Sequence, residues 1–136
     1  MTDKIIEVAA AVIIQNGCCL ITQRLETSPL GGLWEFPGGK RHPGESLKTC
    51  LRRELKEELD ITVRVGEAIK VILHAYPGYT VRLHFYRCTM TDGSPRTLEN
   101  QGYRWVPISE LSQFAFPEAN RPLIRDLQDP KSSRGG

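Results

Sequence analysis

Residues 38–61 of the chain read GGKRHPGESLKTCLRRELKEELDI, and the second half of this stretch has the periodicity of an α-helix. Leucines recur at every fourth position and would form one apolar stripe on that helix, at Leu47, Leu51, Leu55 and Leu59. Ser46 precedes the stripe and can cap the first turn, because a serine hydroxyl accepts a hydrogen bond from a free backbone N–H. The stretch therefore predicts a helix over residues 46–59 that packs its leucines on a hydrophobic core.

The same helix carries three glutamates close together. At roughly 100° per residue, the side chains of Glu54, Glu57 and Glu58 fall within an arc about 100° wide. Like charges at this spacing destabilise a helix by about 0.2 to 0.5 kcal/mol per pair, and a divalent cation would relieve that repulsion. Carboxylate oxygens suit Mg²⁺ or Mn²⁺, which also bind phosphate oxygens. The alternative is a solvated charged face on which Arg53 and its neighbours pair with the glutamates.

Outside this helix the sequence predicts strands joined by tight turns. Asn16-Gly17 and Pro77-Gly78 are turn dipeptides, and each separates two runs rich in apolar and β-branched residues. These runs read as the strands of two hairpins, over residues 5–14, 18–24, 61–75 and 79–90. A shorter strand and a last helix follow, near residues 103–106 and 120–127. The order of elements predicts an α+β fold, with helices packed on the faces of a mixed sheet.

The composition is that of one ordinary globular domain. The chain has 136 residues, of which 40% are hydrophobic and 25% charged, and its net charge is +2. This mixture excludes a disordered chain and gives no reason to propose a protein that coats nucleic acid. We expect one domain over residues 1–130 and a disordered tail over 131–136. The cysteines lack a CxxC pair, and neither a signal peptide nor a membrane-spanning run is present, so we expect reduced thiols and a soluble cytoplasmic protein.

The spacing of the charged residues resembles the Nudix box, G-x5-E-x7-R-E-U-x-E-E-x-G-U, in which U is an aliphatic residue. Eight of its nine defined positions match. The matching residues are Gly39, Glu45, Arg53, Glu54, Leu55, Glu57, Glu58 and Ile61. The resemblance implies the Nudix fold, an α/β/α sandwich around a central mixed β-sheet. It also implies hydrolysis with Mg²⁺ as the cofactor and Mn²⁺ as a plausible substitute.

The resemblance further implies roles for individual residues. The expected metal ligands are the Gly38 carbonyl and the carboxylates of Glu54, Glu57, Glu58 and Glu99. The residues expected to take part in catalysis are Arg53, Glu54, Glu57 and Glu99, with Gly39 and Glu45 supporting them from outside the ligand set. Arg53 would orient the glutamates. Glu54 and Glu99 remain alternatives for the carboxylate that deprotonates the attacking water.

Two further segments resemble the MutT branch of the family, the diphosphatases that sanitise the nucleotide pool. They are LWEFPGG at 33–39 and PEANRP at 117–122. The likeness implies that Arg24, Phe36 and Asn120 contact the substrate near its nucleobase. An amide offers the donor and acceptor that suit a purine edge, whereas a carboxylate suits the cytosine amine. The structural alternatives are a surface charge at a strand end for Arg24, a core aromatic for Phe36 and a helix N-cap for Asn120.

These resemblances imply a Mg²⁺-dependent nucleoside triphosphate diphosphatase that hydrolyses oxidised purine nucleotides such as 8-oxo-dGTP to the monophosphate and pyrophosphate. The expected partner is a small nucleotide, with no stable binding to nucleic acid and none to a membrane. A pyrophosphohydrolase for CTP or dCTP, or one of broad range, is the nearest alternative, because it requires only pocket contacts worth about 1 to 3 kcal/mol. A non-catalytic nucleotide-binding module is disfavoured because the glutamate set is intact.

One position departs from the box, since Asp60 stands where its last glycine is expected. That glycine follows the helix in the left-handed conformation, which aspartate tolerates better than most residues, at a cost of about 1 kcal/mol. No ligand atom is lost by the exchange. We therefore expect an effect on local stability and none on the chemistry.

Overall fold

The computed structural model describes residues 4–100 and 102–130, so the tail expected over 131–136 lies outside the described residues. Within these residues, the fold consists of a seven-stranded mixed sheet and two α-helices. The strands are β1 Lys4–Gln15, β2 Cys18–Gln23, β3 Trp34–Glu35, β4 Gly38–Lys40, β5 Thr62–Tyr76, β6 Tyr79–Asp92 and β7 Gly102–Pro107. The helices are α1 Leu47–Leu59 and α2 Arg121–Gln128, and 3-10 turns cover Ile108–Gln113 and Glu118–Asn120.

Strand β1 organises the sheet because it pairs with three other strands. It runs parallel to β6, from Lys4 opposite Tyr79 to Ile13 opposite Cys88. It pairs in the antiparallel direction with β2 and β4. The turn from β1 to β2 has positive φ at both central residues, 53° and 78°, as the predicted two-residue hairpin requires. One strand therefore joins the hairpins to the short strand β4, which leads towards α1.

Alternate residues of β1 face two separate hydrophobic cores. Ala9, Ala11 and Ile13 lie in the core that packs against α1, whereas Ala10 and Val12 lie in the core that packs against α2. A strand sends successive side chains to opposite faces, and here both faces are covered by a helix. The architecture is an α/β/α sandwich around a mixed sheet, so the predicted fold class is confirmed.

Helix α1 begins where the sequence predicted. The Ser46 hydroxyl accepts a hydrogen bond from the Thr49 N–H at 3.1 Å. The three leucines at 51, 55 and 59 are fully buried, and burying each contributes roughly 1.5 to 3 kcal/mol. Glu58 is buried with them, at 8% exposure. The leucine stripe thus holds in place a helix that carries one carboxylate into the protein.

The cysteines are free thiols, as the sequence predicted. Burial raises the pKa of the Cys19 thiol to about 12, so this group stays protonated and unreactive. In the part of the chain that the structure describes, neither helix combines the length and the apolar character needed to cross a membrane.

Asp60 ends helix α1 in the left-handed conformation that the sequence predicted, with φ 56° and ψ 41°. Its backbone N–H donates to the Lys56 carbonyl at 3.1 Å. Its carboxylate also pairs with Lys56 Nζ at 3.1 Å and with Arg96 Nη1 at 3.4 Å. These ion pairs are solvent-exposed, and such pairs contribute at most about 1 kcal/mol each. They partly offset the conformational cost of a non-glycine residue here.

We expect Asp60→Gly to raise the melting temperature slightly, by up to about 3 °C, because glycine adopts the left-handed conformation without strain. Thermal unfolding followed by circular dichroism measures the change. Asp60→Asn is the control for the ion pairs, since asparagine keeps the tolerance for positive φ and loses the charge. A glycine variant that melts below the asparagine variant would contradict the strain argument.

Candidate active site

A cavity of about 200 Å³ opens beside helix α1 and strands β3 and β4. Four carboxylates and one guanidinium belong to its wall. The lining residues are Arg24, Leu25, Ser28, Glu35, Gly38, Glu54, Glu58, Glu99 and Asn100. Five of these residues were predicted from the sequence, whereas Glu35 and Asn100 were not. Most of the predicted metal ligands therefore line one cavity, together with polar residues that were not predicted.

Two glycines let strand β4 pass close to its neighbours. A Cβ at Gly38 would collide with the carbonyl of Ala9 on β1. A Cβ at Gly39 would lie 2.5 Å from Oε1 and 2.6 Å from Oε2 of Glu54. Only glycine leaves room for that carboxylate to lie over the β4 backbone. The predicted supporting role of Gly39 thus has a steric basis in the structure.

The guanidinium of Arg53 joins the loop before α1 to the helix itself. Its Nε and Nη2 donate to the two oxygens of Glu45 at 2.7 and 2.9 Å, and Nη2 also donates to the Lys40 carbonyl at 3.1 Å. Its Nη1 donates to Glu54 at 2.9 Å and to Glu57 at 3.0 Å. The hydrogen bonds from Arg53 lower the pKa of Glu45 to about 2. The arrangement is what a residue that orients the glutamates requires.

The surroundings of Glu58 disfavour the negative charge of its carboxylate. One of its oxygens, Oε2, is buried and has no hydrogen-bond partner. Burial, followed by the negative charges of Glu35 and Glu54, raises the pKa of Glu58 well above its usual range. A hard divalent cation would satisfy the unpartnered oxygen, and the carboxylates around the cavity are the oxygen donors that Mg²⁺ and Mn²⁺ prefer. The residues present therefore fit such a cation.

Two arginines hold the other carboxylates apart. Within residues 4–100 and 102–130, no group of three or more His, Cys, Asp or Glu side chains is arranged so that it could hold a metal ion as it stands. Glu54 and Glu57 are bonded to Arg53, and Glu35 is bonded to Arg24 at 2.9 Å. Glu57 is also half-exposed and does not line the cavity. Its place among the metal ligands stays a prediction.

The segment before β7 forms another part of the cavity wall. The N–H groups of residues 96 and 98 donate to the carbonyls of Leu59 and Glu58 at 2.8 and 3.0 Å, which ties this segment to the end of α1. Glu99 and Asn100 follow and line the cavity. Both polar atoms of the Asn100 amide are buried without a partner. Sequence reasoning placed Glu99 near the site by resemblance and missed Asn100, for which no local pattern exists.

Glu35 is the charged residue that sequence reasoning missed on the other side of the cavity. Strand β3 pairs with β2 so that Glu35 lies opposite Thr22, and this pairing brings it close to Arg24. Burial raises the pKa of Glu35, while the charge of Arg24 opposes the shift. A signal was present in the sequence, since a glutamate between Trp34 and Phe36 must face away from the core that both aromatics enter.

The remaining predicted contacts lie on the face of the sheet that α2 covers. Phe36 is buried in the second core and stacks on Phe116, with ring centroids 5.3 Å apart, so its ring has the core role given as the alternative. Asn120 is 8% exposed and helical, with φ −88° and ψ −12°, and its side chain makes no capping hydrogen bond. Asn120 thus stands at the N-cap position of α2 without capping the helix through its side chain. Neither residue lines the carboxylate cavity, whereas Arg24 does.

Comparison with known proteins agrees with this geometry. The family model described as NUDIX domain matches residues 9–126. The chain is 36% identical over 131 residues to a CTP pyrophosphohydrolase of Escherichia coli K12, covering 96% of this chain and 97% of that protein. It is 38% identical over 128 residues to an 8-oxo-dGTP diphosphatase of Haemophilus influenzae, covering 93% and 94%.

Solved structures agree as well. The solution structure of the E. coli ORF135 protein superposes with a TM-score of 0.84 at 36% identity, over 97% of this chain and 94% of that one. The crystal structure of a MutT protein from Methanosarcina mazei Go1 also gives a TM-score of 0.84, at 26% identity, over 93% and 95%. The sandwich is therefore shared almost over its whole length.

We expect Gly39→Ala to lower kcat/KM by about a hundredfold, because displacing a catalytic group by about 1 Å has an effect of that size. The added Cβ forces the Glu54 carboxylate to move. Gly102→Ala is the matched control, since a Cβ there meets nothing within 4 Å. Steady-state pyrophosphate release, with melting curves to check folding, measures both. Equal activity of the two variants would remove the steric argument for Gly39.

Proposed function

The chain belongs to the Nudix family of hydrolases, and on that premise we propose that it is a Mg²⁺-dependent diphosphatase of oxidised purine nucleoside triphosphates such as 8-oxo-dGTP. It is a hydrolase of phosphoric anhydride bonds, as the family implies. The products are the nucleoside monophosphate and pyrophosphate. Such an enzyme sanitises the nucleotide pool, has a small molecule as its partner, and suits the cytoplasm, where its cysteines stay reduced.

The observation that carries the reaction class is the buried, unpartnered oxygen of Glu58 in a cavity shared with Glu54, Glu99 and Gly38. Keeping a carboxylate ionised in a folded interior costs several kcal/mol, to order of magnitude, unless positive charge compensates it, and the raised pKa of Glu58 reflects this cost. A divalent cation with its bound phosphates supplies that charge. A protein that only bound a nucleobase would have no reason to keep this group buried.

The mechanism follows from the placement of the carboxylates. When bound, the divalent cation neutralises the phosphates and stabilises the charge that develops in the transition state. Glu54, Glu58 and the Gly38 carbonyl would hold it, while Arg53 keeps Glu54 in place. A water oxygen bonds to an inner phosphorus, the anhydride bond on the far side breaks, and the electron pair leaves with the departing phosphate group. The proton passes to Glu54 or Glu99, and one water is consumed for each monophosphate and pyrophosphate formed.

The base preference rests on Asn120 and on the relatives. The Asn120 side chain is buried and caps no helix, and its amide has the donor and acceptor that a purine edge needs. The H. influenzae relative is named an 8-oxo-dGTP diphosphatase. The second candidate is CTP hydrolysis, which the name of the E. coli relative favours. We place the oxidised purine first because an amide suits the cytosine amine less well than a carboxylate does.

We expect Glu58→Gln to lower kcat/KM at least a hundredfold at subsaturating Mg²⁺, because it removes the charge with which the cavity attracts the cation. The folded state should persist in EDTA with an equal or higher melting temperature, since Glu58, whose pKa burial raises, must take up a proton to fold near neutral pH and glutamine need not. The exposed Glu67→Gln serves as the control for net charge. Wild-type rates in Glu58→Gln would dispose of the ligand assignment.

The substrate is tested with a nucleotide panel assayed for monophosphate product with and without Mg²⁺. We expect 8-oxo-dGTP to give the highest kcat/KM, and Asn120→Ala to lower that value about tenfold to a hundredfold with a smaller loss for dCTP. Asn120→Asp, which exchanges the amide donor for an acceptor, should shift the preference towards CTP. Equal losses for every nucleotide would mean that Asn120 acts only on folding, and a wild-type preference for CTP would establish the second candidate.

A further inference from the structure

Glu35 lies in the wall of the cavity that would hold the divalent cation. It shares this wall with Glu54, Glu58 and Glu99. Glu54 and Glu58 belong to helix α1, whereas Glu35 belongs to the two-residue strand β3. The pairing of Glu35 with Thr22 fixes the backbone on one side. On the other side, the Trp34 N–H donates to a carbonyl at residue 115, at 2.8 Å. The carboxylate is thus set at the cavity by the sheet and not by a mobile loop.

The charges of the cavity wall do not balance. Its lining residues include four carboxylates and the guanidinium of Arg24, so three negative charges are in excess when all are ionised. Arg24 pairs with Glu35 at 2.9 Å, and the side chains of both are largely buried, with 30% and 25% exposure. Because burial raises the pKa of both Glu35 and Glu58, keeping these groups ionised requires a compensating positive charge, which a divalent cation would supply.

The ion pair with Arg24 does not account for Glu35 by itself. Arg24 is anchored independently, because its Nε donates to the Pro29 carbonyl at 2.7 Å. A neutral acceptor at position 35 would serve that guanidinium at a lower desolvation cost. The carboxylate instead lines the cavity that Glu58, with its unpartnered oxygen, also lines, and it is among the charges that act most strongly on Glu58.

We propose that Glu35 contributes to binding the divalent cation, with Arg24 as the positive charge that competes for its carboxylate when the cation is absent. The proposal rests on the cation of the proposed function and adds a residue outside the Nudix box to its binding site. Glu35 acts through its charge, either on the cation itself or on the water that a Mg²⁺ or Mn²⁺ ion retains.

Binding of Mn²⁺ in the absence of nucleotide tests this directly. The free ion gives an electron paramagnetic resonance signal that is lost on binding, so a titration yields the dissociation constant. We expect Glu35→Gln to weaken Mn²⁺ binding about tenfold, Glu35→Asp to weaken it less, and the exposed Glu67→Gln to stay within about twofold of wild type. Equal affinities of Glu35→Gln and Glu67→Gln would overturn the proposal.

Replacing Arg24 should change the Mn²⁺ affinity in the opposite direction. If it competes for the Glu35 carboxylate, Arg24→Met should tighten Mn²⁺ binding, whereas Arg24→Met combined with Glu35→Gln should bind as weakly as Glu35→Gln alone. If Glu35 served only to position Arg24, the single Arg24 variant would weaken binding or leave it unchanged, which contradicts the proposal. Melting curves in EDTA confirm that each variant is folded, and Glu35→Asp keeps the test open should the glutamine variant fail to fold.

The outcome is separable from that of the proposed function. Mn²⁺ affinity is measured without any nucleotide, so it does not depend on which base the enzyme accepts. A wild-type protein that binds Mn²⁺ and releases no pyrophosphate from any nucleotide would refute the proposed function alone. A wild-type protein that releases pyrophosphate while Glu35→Gln keeps full Mn²⁺ affinity would refute only the role of Glu35.

Discussion

The carboxylate cavity depends on the hydrogen bonds that the guanidinium of Arg53 donates. Its two-pronged bond to Glu45 fixes the loop before α1, and its bond to the Lys40 carbonyl fixes the end of β4. Because the same group donates to Glu54 and Glu57, the β4 backbone and two carboxylates of the helix are held at set distances from one another. A lysine could not replace it, since an ammonium lacks the planar fork that reaches several acceptors at once.

Folding and function oppose each other at this cavity. Glu58 is buried because it shares a helix face with leucines whose burial outweighs its cost. Asn100 adds an amide without partners, at roughly 1 to 3 kcal/mol. Both residues line the same cavity, and a cation that carries phosphates would offer a positive charge to one and hydrogen-bond partners to the other. Unfavourable groups that cluster in this way are typical of sites whose ligand completes the structure.

Sequence periodicity was sufficient to predict α1, because a helix brings residues three and four positions apart together whatever the rest of the chain does. The cavity needed more than periodicity. Glu35 reaches it through the pairing of β2 with β3, and Asn100 reaches it through hydrogen bonds to the end of α1. Contacts between distant segments leave no local pattern. Phe36 follows Glu35 directly and turns its ring into the second core, the core position that was its alternative on sequence grounds; a contact between Phe36 and the substrate stays a prediction.

Strand β3 connects the carboxylate cavity with the side of the sheet where Asn120 lies. Glu35 faces the cavity, while the Trp34 N–H bonds to the carbonyl of Ala115 in the segment that leads to Asn120. The two sides thus share a backbone contact, and no residue on the α2 side lines the cavity within the described chain. The proposed base contact at Asn120 can therefore differ between proteins without a change in the residues that line the cavity. Such a separation agrees with the names of two relatives. One is a CTP pyrophosphohydrolase and the other an 8-oxo-dGTP diphosphatase, and their identities to this chain are similar.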